Sequence, residues 1–147
     1  MISDYLIPAL IGASSAIAVN IIYYEYRFNK EKKSEFLKMQ LTELLLPLYV
    51  RFKNIESEAI ATTDDMYGFR DIISKDAEIK KIAANKLYLA NSKLAHLLLE
   101  FLNNQYMING YIIEIKDDDL IKNYGELKQV IFDEYNQKVV EYQNKPL

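Results

Sequence analysis

Twenty consecutive residues, Tyr5 to Tyr24, carry no charge (YLIPALIGASSAIAVNIIYY), and Arg27, Lys30, Lys32 and Lys33 follow closely. As a helix, a run of that length reaches about 30 Å, the thickness of a bilayer's hydrocarbon core. It therefore predicts a transmembrane anchor over residues 1–24. A retained anchor is expected over a cleaved signal peptide on three grounds. The chain opens Met1-Ile2-Ser3-Asp4 without a basic residue, the apolar run exceeds the usual ~7–15 residues of a signal peptide's core, and the basic cluster lies on the wrong side of it. One feature points the other way, the Ala16-Ile17-Ala18 match to a signal-peptidase site. The Lys/Arg asymmetry predicts the N-terminus outside and the rest of the chain in the cytoplasm, at a cell's inner membrane. Tyr5 at one end and Tyr23, Tyr24 and Tyr26 at the other suit the two interfacial belts. Pro8 falls near the first turn, where its missing N–H costs little.

The anchor also has a face. Gly12, Ala16 and Asn20 recur every four residues, with Ala9 and Ala13 beside them. Small residues at that spacing let helix backbones approach closely, and an Asn carboxamide in hydrocarbon gains from a partner. Ala, Gly and Ser are also simply common in membrane helices, so the same pattern has a bland explanation.

Beyond the anchor, 147 − 24 = 123 residues remain, enough for one domain with its own core. The chain has no Cys, which excludes disulfides and thiolate chemistry, and one His. Only four Gly and three Pro argue for long regular elements. A net charge of −3 with only a local basic collar makes a poor nucleic-acid binder, so no nucleic acid is expected as a partner. The richness in Ile, Lys, Asn and Tyr fits an AT-rich, bacterial genome.

The fold class expected is all-α: a single N-terminal transmembrane helix continuing, through a basic helical linker at residues 25–33, into a cytoplasmic bundle at 34–147. The bundle is expected to be antiparallel, with three long helices and one short one. Leu37, Leu41, Leu44, Leu48, Phe52, Ile55 and Ala59 form a helical stripe over Ser34–Ala61. Pro47 interrupts it by removing a bond to the Glu43 carbonyl, so a kink is expected there rather than two helices. Thr63 or Asp64 can cap a short helix around Met66–Ser74, and Ser74 or Asp76 the longest one. Its stripe is Ile79, Ala83, Leu87, Ala90, Leu94, Leu97 and Phe101, stopping at Asn109-Gly110. The same dipeptide could instead turn a hairpin between Tyr106–Ile108 and Tyr111–Ile113. A final helix is expected over Leu120–Gln143, with Asp117, Asp118 and Asp119 at its positive end. Helices of about 28, 32 and 24 residues span roughly 42, 48 and 36 Å, lengths that pack simply as a bundle.

Chemistry-bearing patterns are sparse. His96 has Glu100 one turn on, but a di-iron bundle site needs a Glu-x-x-His pair on each of two helices, and a lone His beside a Glu reads as a solvated pair. The Asp117–Asp119 run lacks the alternation and Gly of an EF-hand loop and reads as helix-capping. Gly12, Gly68, Gly110 and Gly125 stand singly, so no phosphate loop forms. No catalytic, cofactor or metal residue is assigned, and an enzyme is not expected.

Two surfaces remain. Arg27, Lys30, Lys32, Lys33 and Lys38 form a collar that sets topology and can meet lipid headgroups, though Glu25, Glu31 and Glu35 interleave with it. Leu44–Val50 is apolar nearly all round, and the last helix carries apolar residues off its stripe. Leu45, Leu46, Tyr49, Val50, Ile121, Phe132 and Val140 are therefore expected as a partner surface. The function expected is that of a non-enzymatic single-pass membrane protein. Its partners would be the bilayer and either a second copy or another membrane or cytoplasmic protein. The alternative is a membrane-acting effector, a toxin or phage-defence component assembling through the Gly12/Ala16/Asn20 face.

Overall fold

The computed structural model describes residues 3–62, 66–109 and 117–144, with side chains placed for 20–61, 68–109 and 119–144. Every regular element among them is helical: α1 (Ser3–Met39), a π-turn (Gln40–Leu45), α2 (Leu46–Thr62), α3 (Met66–Ser74), α4 (Ala77–Lys86), a 3-10 turn (Leu87–Leu89), α5 (Ser92–Asn109) and α6 (Asp117–Gln143). The chain divides into two compact units, Met1–Phe36 and Leu37–Leu147. In the first, the backbone stays helical through residues 25–33, as the lack of Gly or Pro there predicts.

The second unit is a helical bundle. Leu37, Leu41, Leu44, Leu48, Phe52 and Ile55 are buried together with Ile73, Ile79, Leu94, Leu98, Phe101, Leu120, Leu127 and Ile131. Each large apolar side chain so buried stabilises the fold by roughly 1.5–3 kcal/mol before chain entropy is counted. Cross-links between helices show their directions. Between α2 and α6, Tyr49 stacks on Tyr135 and Glu56 pairs with Lys128. Between α5 and α6, Asn91 just before α5 bonds to Glu134, and Phe101 lies near Tyr124. In both pairs one number rises as the other falls, so the helices run antiparallel. The same reversal relates Gln40, Glu43 and Arg51 to Leu89, Lys86 and Asp76.

Pro47 is accommodated by the π-turn. The Leu46 N–H donates to the Leu41 carbonyl, five residues back. Proline has no N–H for the Glu43 carbonyl and its ring crowds it, and a widened preceding turn relieves that conflict. Helical structure thus continues on both sides of Pro47. Two long-range bonds hold the turn: Gln40 Nε2 donates to the Leu89 carbonyl at 2.7 Å, and Lys86 pairs with the Glu43 carboxylate.

The longest helix expected, with its stripe from Ile79 to Phe101, is broken. After α4 and the 3-10 turn, Ala90 is extended (φ −77°, ψ 145°). Asn91 then caps α5, its Oδ1 accepting from the Leu94 N–H at 2.8 Å. That cap satisfies a free N–H at the new helix start, and the side-chain amide also donates to Glu134. Leu89 is buried at the break, with Leu87 and Ala90 partly so. The short helix lies at Met66–Ser74, as expected. Of the two candidate caps for α4, Asp76 is the one used, accepting from Ile79 N–H at 2.9 Å, while Ser74 Oγ turns back to the Asp71 carbonyl. The candidate caps Thr63 and Asp64 lie outside the described residues. Tyr106–Ile108 is helical, so it supplies no hairpin strand, and α5 ends at Asn109. Tyr111–Ile113 lies outside the described residues. Asp117–Asp119 opens α6 rather than preceding it.

Candidate functional site

From Asn20 to Phe36 every residue of α1 except Ser34 is exposed. The exposed set includes Ile21, Ile22, Tyr23, Tyr24, Tyr26, Phe28 and Phe36, with Tyr24 71 % exposed. The bundle exposes large side chains too, Ile60, Tyr88 and Tyr106 among them, but here they follow one another along the helix beside charges. Tyr23 and Tyr24 meet edge to face at 6.4 Å. Lys32 Nζ lies over the Phe28 ring at 4.3 Å, and Arg27 Nε donates to Glu31 at 3.0 Å. That hydrogen bond, followed by the charge of Glu31, raises the Arg27 pKa. The Phe28–Lys32 and Arg27–Glu31 contacts are i,i+4 pairs on a solvated helix and contribute little to stability. Their chemistry is amphipathic: aromatic rings with polar edges interleaved with long cationic side chains, the composition of a membrane–water interface.

All five collar residues, Arg27, Lys30, Lys32, Lys33 and Lys38, are exposed. Ala9, Gly12, Ala13 and Ala16 lie within helical backbone, but their side chains are outside the described residues; Asn20 is exposed. The helical backbone keeps positions 12, 16 and 20 on one face. Most of the Tyr5–Tyr24 run falls outside the placed side chains in the same way. Among the described residues, no helix is long and apolar enough to cross a membrane.

The candidate partner surface is divided. Leu45 is fully buried and belongs to the core. Tyr49 lies against Phe132 and Tyr135 with ring centroids 4.5 and 4.6 Å away, so Tyr49 and Phe132 serve the α2–α6 contact. Ile121 packs partly against the core, and Leu46, Val50 and Val140 are exposed. The all-round apolar run Leu44–Val50 thus spends most of its surface inside the bundle.

His96 is exposed, its Nε2 3.9 Å from Glu100, and the Asp119 side chain points outward. Among the described residues no group of three His, Asp or Glu stands close enough to hold a metal ion. The best-organised polar cluster is one that the sequence reading did not single out. Arg51 pairs with Asp76 and Glu58 and approaches Glu78 at 3.6 Å. Burial acts to lower its pKa, but the hydrogen bonds to Glu58 and Asp76 outweigh this and leave it raised. Beneath it, Gln105 Nε2 donates to the Ile73 and Asp76 carbonyls at 2.7 and 3.1 Å, and Asn109 to Ser74 at 2.7 Å. This knot ties the α3–α4 link to α2 and α5.

A cleft of about 470 Å³ lies between α2, α3 and α6. Its one advance signal was Gly125, an isolated glycine in a helical pattern. No family model, curated protein or solved structure matches this chain.

Proposed function

We propose that this chain is a membrane-tethered helical bundle without catalytic activity, anchored by Tyr5–Tyr24 as a single N-out span. The observation that supports it best is the exposed aromatic and basic helix at residues 20–36, which takes in the end of the uncharged run and continues past it. Large apolar side chains left in water along a whole helix mark a surface that something else covers. Interfacial lipid suits rings and cations mixed at this density. The bundle then presents its outer face, including Leu46, Val50 and Val140, to a second copy or a protein partner in the cytoplasm.

The test is fractionation followed by detergent extraction. The chain should stay with membranes through alkaline carbonate, and a protease added to inverted vesicles should digest the bundle. After extraction it should run as a defined oligomer or with a stoichiometric partner. Release by carbonate would overturn the anchor, and a monodisperse monomer without a partner would overturn the docking role.

A further inference from the structure

The charges of α1 separate once the helix is formed. In the sequence, Glu25, Glu31 and Glu35 alternate with Arg27, Lys30, Lys32 and Lys33. At about 100° per residue, Lys33, Tyr26, Lys30, Tyr23 and Arg27 follow one another round one side of the helix. That side carries no carboxylate between Asn20 and Phe36. All three glutamates lie on the other side, with Lys32 and the Phe28 ring that it covers. Arg27 stands at the boundary and donates to Glu31. Lys30 and Lys33 are exposed and have no carboxylate partner among the described residues.

Topology alone does not ask for this arrangement. Orientation depends on how many Lys and Arg flank a span, and Glu contributes little to it wherever it lies. A one-sided cationic strip instead makes a local field that an anion can enter without meeting Glu25, Glu31 or Glu35. Helical side chains lean toward the N-terminus, as Lys32 does in covering Phe28 one turn back. In an N-out span that direction is the membrane. Lys30 and Lys33 lie about 9 and 14 Å beyond Tyr24 along the axis, and their long stems return the ammonium groups toward the headgroups. Tyr23 and Tyr26, on the same side, bring hydroxyl groups to that level.

We propose that this side of α1 holds an acidic phospholipid of the cytoplasmic leaflet, an inference that rests on the membrane anchor proposed above. The lipid phosphate accepts from the Lys30 and Lys33 ammonium groups and from the hydroxyl of Tyr26, which falls between them round the axis. Arg27 adds positive charge at the edge of the strip. A second copy packed two-fold on the same strip would set Lys30 and Lys33 against their own counterparts, so like charge disfavours that occupant.

The experiment is amine footprinting of the full chain in phosphatidylcholine nanodiscs, with and without a minor share of phosphatidylglycerol, read by mass spectrometry. Lys32 is the internal control, since it lies between Lys30 and Lys33 in height but on the other side. Phosphatidylglycerol should slow labelling of Lys30 and Lys33 about fivefold and leave Lys32 nearly unchanged. Lys33→Glu combined with Glu35→Lys keeps the composition and moves one cation across the helix. It should remove most of the protection of Lys30 while the chain stays carbonate-resistant. Equal slowing of all three lysines, or protection of Lys30 that survives the swap, overturns the proposal and leaves the anchor standing. Protection of Lys30 and Lys33 in phosphatidylcholine alone, lifted when a co-purifying polypeptide is removed, assigns the strip to a protein and overturns it too. Release of the parent chain by carbonate would instead overturn the anchor and this inference together.

Discussion

At the scale of single residues, two buried polar groups carry opposite energetic signs. Asp76 has a side chain only 1 % exposed and depends on Arg51 for charge balance. Arg51→Met leaves that carboxylate in the bundle without its cation, which should cost about 3 kcal/mol. Thermal or denaturant unfolding in mild detergent measures this; a loss below about 0.5 kcal/mol would mean that water already solvates Asp76. Tyr124 is the reverse case. Its ring stacks on Phe52 at 4.8 Å, but its hydroxyl is buried without a hydrogen-bond partner, as are both amide atoms of Asn123. Tyr124→Phe keeps the stack, removes the orphaned group and should stabilise the bundle by about 1 kcal/mol at neutral pH. Burial first, then the Glu56 and Asp76 carboxylates, raise the Tyr124 pKa well above the ordinary phenol range. An unfolded chain releases this proton near pH ~10 while the folded one holds it. Tyr124's contribution is therefore intact below about pH 10 and is lost as pH rises beyond it. Melting curves should show the variant's advantage widening above that pH, and a constant gap would place the hydroxyl in contact with solvent. Asp76 as a helix cap was legible, because capping is local. Its pairing with Arg51, 25 residues away, was not, because a contact between distant helices depends on where the bundle places them.

At the scale of elements, helical periodicity identified the stripes and missed a break within one of them. Ile79–Phe101 reads as one continuous face because apolar residues occur on either path: Leu87 and Ala90 fit a straight helix, while Leu89 fills the core once the chain turns. The local signal was Asn91-Ser92, a cap sequence inside an apolar stripe. Pro47 was legible as a disturbance; that it would be absorbed by a π-turn was not, since the bonds from Gln40 and Lys86 come from tertiary structure. The break makes a prediction. Asn91→Ala removes the cap on Leu94 and the bond to Glu134, and should cost about 1–2 kcal/mol. Asn91→Asp keeps the capping oxygen but sets a second carboxylate against Glu134, so it should recover only part of the loss. Equal stability of all three proteins, measured by denaturant unfolding, would show that the break is fixed by packing of Leu89 alone.

At the scale of the molecule, the two units differ in what holds them. Every buried hydrophobic side chain among the described residues lies between Leu37 and Ile131, within the second unit. The rings of residues 20–36 are exposed, and the Arg27–Glu31 pair is solvated. An all-helical bundle was readable from periodicity and the scarcity of Gly and Pro. The start of its core was readable as well: the stripe opens at Leu37 after a charged stretch, and Leu37 is the first buried hydrophobic side chain among the described residues. Residues 37–147 alone should therefore fold, with helical content and a melting temperature within a few degrees of the full chain's bundle transition. The same piece should remain in the aqueous fraction while the full chain sediments with membranes. If the shorter piece is unfolded or aggregated, the bundle draws stability from the first unit, and the rings at residues 20–36 have a structural role in place of an interfacial one. If both pieces sediment, membrane attachment resides in the bundle surface, and Leu46, Val50 and Val140 become the residues to substitute next.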